Sequence, residues 1–263
     1  MHAASVGVNG KIVKRRYKQA MKSVRVVLLP TLLTPADLVD RAVVVFDVLR
    51  ATTTIAAALA SGATAIRVFG SIDAARDAHA AFTGGPKLLA GEIGCLAPPG
   101  FDTGNSPAEM TFDRCGGRTI FMSTTNGTKA LVAAKLASTL LTGAIVNAAA
   151  VGRVLSGQPL AVTLLCAGTD GQPAYDDLIG CGAVLASIKD AEPANDGAFM
   201  AVAAWENAKA DLVAALSRGA SGHHLAKANL TSDFEFAAHL NRVPIVGSVS
   251  EIDGILVVTR QPT

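Results

Sequence analysis

Runs of apolar residues in this chain alternate with segments whose apolar positions follow the spacing of a helix. Residues 24–29, apolar except for Arg25, form a run that ends at Pro30, and residues 42–46 form another that is rich in valine. Runs that are apolar on both faces are typical of parallel strands covered on both sides by helices. The pattern therefore predicts an α/β protein with a mostly parallel sheet.

Three segments repeat one order of elements: a buried strand, a turn rich in Thr, Gly and Asp, and then a helix. The strands are predicted at residues 42–46, 119–122 and 160–165, and the turns at residues 47–54, 123–128 and 166–171. Each turn therefore joins the carboxyl end of a strand to the amino end of a helix.

The position of these turns has chemical consequences. In open α/β sheets, ligands bind beyond the carboxyl ends of the strands. The amino termini of helices carry unpaired N–H groups and a partial positive charge, which favour phosphate and other anions. Thr and Ser hydroxyls add further hydrogen-bond donors. Three turns of this kind together predict an anion-binding site.

The last third of the chain carries local signals of three more elements. Residues 197–217 have the spacing of one long helix, for which Gly219 is the expected C-cap. Residues 232–235, Ser-Asp-Phe-Glu, match a capping box at the start of another helix. Asp253 and Gly254 separate two apolar runs and predict a tight hairpin.

Charge is distributed unevenly along the 263 residues, which carry 23 basic and 21 acidic side chains. The first 25 residues contain seven basic residues and no acid, which leaves 16 basic against 21 acidic residues, a net charge of −5, in the remainder. We interpret residues 1–20 as an extension outside the fold, in preference to a transit peptide or a nucleic-acid-binding arm. Residues 21–263 contain no linker and are predicted to form a single domain.

Composition argues against a membrane protein and against a disulfide framework. The longest stretches without a charged residue are shorter than the about 20 apolar residues that a membrane span requires. The four cysteines form no CxxC pair, and no His lies at metal-ligand spacing from them. We therefore expect reduced thiols in a cytoplasmic protein.

The spacing of residues excludes several phosphate chemistries and leaves a set of acids. There is no GxxxxGK[ST] loop and no GxGxxG after a strand. Leu49 stands where the haloacid-dehalogenase phosphatases have a second Asp, and Gln172 where a cysteine-phosphatase loop would need Arg. Carboxylates at strand ends suit Mg²⁺, and Arg50 can pair with a phosphate group. The acids that adjoin the turns are Asp47, Glu92, Asp102, Asp170, Asp176 and Asp177.

Each of these features also has a purely structural interpretation. Residues 52–54, three threonines, could simply cap a helix. Asn126 and Gly127 could form a hairpin turn. Asp176 and Asp177 could only complement a helix dipole. Their combination at three strand ends is what favours a functional interpretation.

Five segments, taken in order, resemble the 2-phosphosulfolactate phosphatase (ComB-like) family of coenzyme M biosynthesis. A C-terminal segment with Ser221, Gly222, Leu225, Ser232 and Asp233 is also similar, so that the resemblance runs from about Met21 to the end. Cys95, where the family commonly has Gly, and Asp176, where Glu is usual, depart from the pattern. The five segments are residues 43–55 (VVVFDVLRATTTI), 91–94 (GEIG), 100–107 (GFDTGNSP), 123–128 (STTNGT) and 166–171 (CAGTDG).

The resemblance implies a three-layer α/β/α fold with a mostly parallel, mixed sheet. It also implies a Mg²⁺-dependent phosphatase that hydrolyses 2-phosphosulfolactate, or a related 2-phospho-hydroxy acid, to sulfolactate and phosphate. On this basis Asp47, Arg50 and Asp170 are predicted to be catalytic. Predicted metal ligands are Asp47, Glu92, Asp170 and Asp177; predicted phosphate contacts are Thr52, Thr53, Thr54, Thr124, Thr125, Asn126 and Gly127; predicted substrate contacts are Asn105, Ser106 and Thr169.

One alternative function stays open at the level of sequence. The chain could bind a phosphorylated or anionic metabolite without catalysing a reaction, because a phosphate site and a catalytic site share residues. In both functions the expected partner is a small phosphorylated acid, with no nucleic acid and no membrane. A homodimer is a separate expectation about assembly.

Overall fold

The computed structural model describes residues 21–262, and the predicted extension at residues 1–20 lies outside this range. The strands are β1 (Lys22–Val27), β2 (Arg41–Phe46), β3 (Ala65–Val68), β4 (Lys87–Gly91), β5 (Thr119–Ser123), β6 (Thr139–Gly143), β7 (Ala161–Cys166), β8 (Ala191–Pro193), β9 (Gly247–Ile252) and β10 (Ile255–Arg260). The α-helices are α1 (Ala51–Ala60), α2 (Ile72–Ala81), α3 (Phe112–Cys115), α4 (Gly127–Ala133), α5 (Ala148–Ser156), α6 (Tyr175–Ser187), α7 (Asp196–Ala208), α8 (Leu212–Ser217), α9 (Ala220–Lys227) and α10 (Ser232–Ala237).

All ten strands belong to one sheet, in the order β4-β5-β3-β10-β9-β6-β2-β7-β1-β8. Strands β6, β2, β7, β1 and β8 are parallel to one another, and so are β4, β5 and β3. The antiparallel strands β9 and β10 join these two blocks, which therefore run in opposite directions. The predicted mostly parallel, mixed sheet is confirmed.

Strand β2 shows why the sheet is covered on both faces. Val44 and Phe46 point to one side and pack in a core with α5, α6 and α7. Val43 and Val45 point to the other side and pack with α1 and α4. Because alternate residues of a strand face opposite sides, a run that is apolar at every position requires helices on both faces. The three-layer α/β/α prediction is confirmed.

The structure brings together turns that are far apart in strand order. Strands β2 and β7 are neighbours, but β5 lies five strands away from β2, in the block of opposite direction. Helix α4, which follows β5, nevertheless contacts both β2 and α1. The carboxyl end of β5 therefore lies near that of β2.

Three of the local predictions for the end of the chain are wrong. The segment 197–217 is divided into α7 and α8, because the Asp211 carboxylate accepts a hydrogen bond from the Ala214 N–H and starts a new helix. Gly219 has extended backbone angles and precedes α9 as its N-cap, so it is not a C-cap. Ser232 is already the first residue of α10, and no side-chain capping bond forms there.

Other local predictions are confirmed. Asp253 and Gly254, both with positive φ, form the turn between β9 and β10 that the sequence indicated. Gly127 begins α4, so the alternative of a hairpin turn at residues 126–127 is wrong. Within residues 21–262, no helix combines the length and the apolar character needed to cross a bilayer.

Candidate active site

A cleft of about 180 Å³ lies at the carboxyl ends of β2, β4, β5 and β7 and is closed on one side by α9. Its lining includes residues predicted to belong to the site and residues to which the sequence analysis assigned no role in it. The predicted ones are Asp47, Arg50, Glu92, Asn105, Thr125, Asn126, Thr169 and Asp170, and the others are Leu49, Gly94, Cys95, Ser221, His224 and Leu225.

Asp47 follows β2 directly and is fixed by the first turn of α1. Its Oδ1 accepts a hydrogen bond from the Ala51 N–H at 3.1 Å, and no hydrogen bond from the described residues reaches Oδ2. Burial raises the pKa of the Asp47 carboxyl to about 7, and the neighbouring carboxylates of Asp176 and Glu92 add to the shift. The site thus contains a carboxyl group whose charge is costly unless a cation compensates it.

The three threonines of α1 do not reach the cleft. Their hydroxyls donate to backbone carbonyl oxygens: Thr52 to Asp47 at 3.0 Å, Thr53 to Val48 at 2.7 Å and Thr54 to Asn105 at 2.9 Å. All three side chains are buried. A phosphate contact through these hydroxyls, as the sequence analysis expected, is therefore not supported, and the threonines instead hold the turn that carries Asp47.

The turn after β5 is divided between cleft and interior. Thr125 and Asn126 line the cleft, as predicted. Thr124 is buried, and its backbone carbonyl accepts a hydrogen bond from the Thr128 hydroxyl at 2.7 Å. Gly127 does not line the cleft either but lies against Asp47. Of the phosphate contacts predicted in this turn, the structure therefore places only Thr125 and Asn126 where a ligand can reach them.

Asp177, a predicted metal ligand, lies beneath the cleft and not in it. Its carboxylate accepts hydrogen bonds from the N–H groups of Val48 at 2.9 Å and Gly168 at 3.0 Å. Burial raises the pKa of this carboxyl well above its usual range. Because it binds the turn after β2 to the turn after β7, Asp177 has a structural role here, and it is not among the residues that line the cleft.

Asp176 is buried beside Asp177 and serves the same turn. Its Oδ2 accepts a hydrogen bond from the Leu49 N–H at 3.0 Å, while Oδ1 has no hydrogen-bond partner among the described residues. Burial raises the pKa of the Asp176 carboxyl to about 6. These two acids therefore hold the backbone on which Asp47 and Arg50 stand.

Glu92 connects the turn after β4 to the turn after β5. Its Oε1 accepts a hydrogen bond from the Thr125 N–H at 2.7 Å, and its Oε2 accepts one from the Cys95 N–H at 3.1 Å. The carboxylate remains part of the cleft lining beside Asp47. Glu92 is therefore available as an oxygen ligand and also fixes the loop that follows β4.

Arg50 is buried and already has two protein partners. Its guanidinium forms an ion pair with Asp233 at 2.8 Å and donates to the Cys95 carbonyl at 2.6 Å. Asp233, fully buried, also accepts a hydrogen bond from the Ser106 hydroxyl at 2.5 Å. Ser106 therefore orients Asp233 and does not line the cleft. Asp233 is a site residue that the sequence analysis quoted in a motif without assigning it a role.

Asn105 has the strongest indication of a missing partner. Its side chain lines the cleft and is only 3% exposed. Its Oδ1 has no hydrogen-bond partner among the described residues. Because a buried amide oxygen without a partner costs free energy, a bound molecule that donates a hydrogen bond, such as water or a hydroxyl group, would satisfy it. Asn105 therefore lies where it can contact a molecule bound in the cleft, and its role as a substrate contact stays a prediction.

The remaining wall is built from the turn after β7 and from α9. The hydroxyls of Thr169 and Ser221 are 2.7 Å apart. Asp170 has a positive φ of 52° and an exposed side chain, and its Oδ2 lies 3.7 Å from Nε2 of His224. Sequence reasoning missed His224 because a lone His on a helix carries no motif.

The cleft residues fit a hydrated magnesium ion. Among residues 21–262, no group of three or more His, Cys, Asp or Glu side chains has the geometry of a metal site. Mg²⁺, however, commonly takes one or two carboxylates and completes its shell with water and substrate phosphate. Asp47, with a free Oδ2 and a carboxyl charge that burial disfavours, and Glu92 form such a pair of oxygen donors.

Gly127 offers a direct test of the packing around Asp47. A Cβ at this position would lie 2.7 Å from Oδ2 of Asp47 and 2.7 Å from Cβ of Ala51. We expect Gly127→Ala to displace Asp47 or α4. The kcat of the predicted phosphatase reaction should fall by roughly 100-fold, the effect of a displacement of about 1 Å. Steady-state kinetics would measure this loss. Gly70→Ala is the matched control, since a Cβ there meets no atom within 4 Å. Equal activity of the two variants would contradict the predicted displacement.

Comparison with known proteins agrees with this geometry. The family model for 2-phosphosulpholactate phosphatase matches residues 27–251. The chain belongs to the 2-phosphosulfolactate phosphatase family. Relatives named "probable 2-phosphosulfolactate phosphatase" include one from a Synechococcus species, 39% identical over 81% of this chain and 90% of the relative. Others are from Gloeobacter violaceus, 40% identical over 80% and 89%, and from Carboxydothermus hydrogenoformans, 40% identical over 83% and 90%.

Family membership confirms the resemblance drawn from the five sequence segments. The matched range contains the whole cleft, from Asp47 to Leu225, together with Asp233. The predicted extension at residues 1–20 lies outside the match.

Proposed function

We propose that this protein is a Mg²⁺-dependent phosphatase that hydrolyses 2-phosphosulfolactate, or a closely related 2-phospho-hydroxy acid, to the hydroxy acid and phosphate. The observation that carries the proposal is the cleft at the strand ends. It is lined by Asp47, by Glu92 and by Asn105, whose buried Oδ1 has no hydrogen-bond partner among the described residues. The family name and the names of the relatives supply the substrate class.

The charges of the cleft support a requirement for a cation. The substrate carries a phosphate, a carboxylate and a sulfonate, whereas Asp47, Glu92 and Asp170 give the cleft three acids. Arg50 cannot balance this alone, because Asp233 already neutralises it. When bound by Asp47 and Glu92, Mg²⁺ would supply polarisation of the phosphoryl group and activation of a water molecule.

The chain's own residues then bind and orient the substrate. Oδ1 of Asn105 can accept a hydrogen bond from a water molecule or from the hydroxyl group of the hydroxy-acid product, which removes the cost of its unpaired burial. Arg50, held in place by Asp233 and the Cys95 carbonyl, presents a fixed positive edge to the cleft. Thr125 and Asn126 line the cleft near Glu92, where they can contact phosphate oxygens.

Phosphate release is the direct test of this proposal. We expect the purified protein to release phosphate from 2-phosphosulfolactate with Mg²⁺ and to lose this activity in EDTA, with recovery when Mg²⁺ is added back. The chelator acts because, without the cation, the carboxylates of Asp47 and Glu92 repel a substrate that carries three acidic groups. Release that is undiminished in EDTA would contradict the metal requirement. Ligand-dependent thermal stabilisation without release from any 2-phospho-hydroxy acid would indicate a binding protein instead.

We further propose a cytoplasmic location, which the cysteines support. All four are free thiols, and Cys166 and Cys181 have sulfur atoms 3.7 Å apart without a disulfide bond. Homodimer formation stays a prediction that sedimentation or light scattering would test.

A further inference from the structure

One wall of the cleft carries donors that the proposed chemistry at phosphorus does not use. It consists of the imidazole of His224 and the hydroxyls of Thr169 and Ser221. The two hydroxyls lie 2.7 Å apart, so that one donates to the other and one hydroxyl proton is left for a ligand. His224 is 42% exposed, and the 3.7 Å between its Nε2 and Oδ2 of Asp170 is longer than a hydrogen bond. Nε2 can therefore still donate to a ligand, and the 72% exposed side chain of Asp170 is largely screened by water.

His224 and Arg50 differ in their contacts. Among the described residues that line the cleft, these two have nitrogen donors on a basic side chain. Arg50 is buried against Asp233, whereas the contact of His224 to an acidic side chain within residues 21–262 is the one at 3.7 Å to Asp170. A second acidic group of the substrate that enters the cleft would thus find an uncommitted hydrogen-bond donor at His224.

The covalent structure of the substrate class decides which acidic group this is. In 2-phosphosulfolactate, the phosphate ester and the carboxylate share one carbon, and the sulfonate is on the next carbon. When the phosphate is placed beside Asp47 and Glu92, the carboxylate stays near it, and the sulfonate extends furthest across the cleft. A sulfonate has three acceptor oxygens and no donor, so it requires a set of donors such as imidazole and hydroxyl groups.

We propose that His224, together with Thr169 and Ser221, binds the sulfonate and so selects 2-phosphosulfolactate over phosphorylated acids that lack this group. The inference rests on the proposed function, because it places the phosphate at the Asp47 end of the cleft. It makes His224 a specificity-determining residue on α9, outside the chemistry at phosphorus.

Kinetics on two substrates test this role. We expect His224→Ala to raise KM for 2-phosphosulfolactate by roughly 10–100-fold, the effect of losing a hydrogen bond to a charged group, with little change in kcat. For 2-phospholactate, in which hydrogen replaces the sulfonate, both constants should stay within about twofold of wild type. His223→Ala is the matched control, since His223 is the adjacent residue of α9, is exposed and does not line the cleft.

Several outcomes would overturn the inference. An equal loss on both substrates would assign His224 to catalysis or to folding, and melting temperatures of the His224 and His223 variants would distinguish these. Wild-type kinetics on both substrates would show that His224 does not contact the sulfonate.

A binding measurement keeps this inference separate from the proposed function. If wild type releases no phosphate from either substrate, the proposed function fails, and calorimetry with sulfolactate and with lactate becomes decisive. Sulfolactate binding that is about tenfold weaker in His224→Ala than in His223→Ala would support the sulfonate contact. Equal affinities, or no binding of sulfolactate to wild type, would refute it.

Discussion

Asp47→Asn is expected to abolish Mg²⁺-dependent phosphate release and to leave the fold intact. The Asn side chain can still accept the hydrogen bond from the Ala51 N–H, but it lacks the negative charge that would bind a cation. We expect kcat to fall by roughly 1,000-fold or more, as when a charge-stabilising group is lost from an active site. Phosphate release under saturating Mg²⁺ would measure the loss, and circular dichroism would verify the fold.

Asp47→Asn should lower activity but raise the free energy of unfolding of the metal-free protein. The pKa of the Asp47 carboxyl is raised from 3.8 to about 7, so the folded protein keeps a proton that the unfolded chain loses above about pH 4. Asp47 therefore makes the free energy of unfolding fall as pH rises from 4 to 7, and Asn at this position removes that contribution, whereas the contributions of Asp176 and Asp177 remain. In EDTA at pH 8, we expect Asp47→Asn to be more stable than wild type by a few kcal/mol, up to about 4.

The control for Asp47 is Asp190→Asn. Asp190 is exposed, lies away from the cleft and has a positive φ of 55°, which Asn tolerates. This variant should retain activity and the pH dependence of stability. Full activity of Asp47→Asn would remove Asp47 from the site.

Asp233→Ala is expected to cost both stability and activity. It would leave the buried guanidinium of Arg50 without its counter-charge and the Ser106 hydroxyl without its acceptor. Breaking a buried ion pair by removing one partner costs about 3–5 kcal/mol. Urea unfolding would measure this change, and kinetics should show a raised KM because Arg50 loses its fixed orientation.

A double variant separates the two effects. In Arg50→Met combined with Asp233→Ala, no unpaired charge is buried, so we expect part of the lost stability to return. Activity should not return, since the cleft then lacks its fixed cation. Glu206→Ala is the matched control for an exposed pair, with a cost below about 1 kcal/mol for loss of the contact to Lys209. A double variant less stable than Asp233→Ala would contradict this account of the Arg50–Asp233 pair.

The composition of the site was largely predictable, but the direction of its side chains was not. Asp47, Glu92, Asn105 and Asp170 line the cleft as the motifs predicted. The hydroxyls of residues 52–54 instead donate to backbone carbonyls. A hydroxyl bonded to the backbone and one directed at a ligand have the same sequence pattern, because both kinds of contact favour Thr in a turn.

Contacts between residues far apart in the sequence could not be predicted from sequence patterns. The Arg50–Asp233 pair joins the turn after β2 to α10, 183 residues later. His224 joins the cleft through α9, whose position depends on the break between α7 and α8. Neither contact leaves a periodic signal, because periodicity reports which face of an element is buried and not which residue it meets.

By itself, the sequence determined the layered α/β class, the three strand–turn–helix units, the hairpin at Asp253 and Gly254, and the family. The family follows from the five motif segments, and the other features follow from burial of apolar runs and from local backbone preferences, which are encoded within a few residues of each element. Only the tertiary structure decided that the turn after β5 shares a cleft with those after β2 and β7. That meeting depends on how the strands between β5 and β2 are assembled, a property of the whole sheet that no single segment carries.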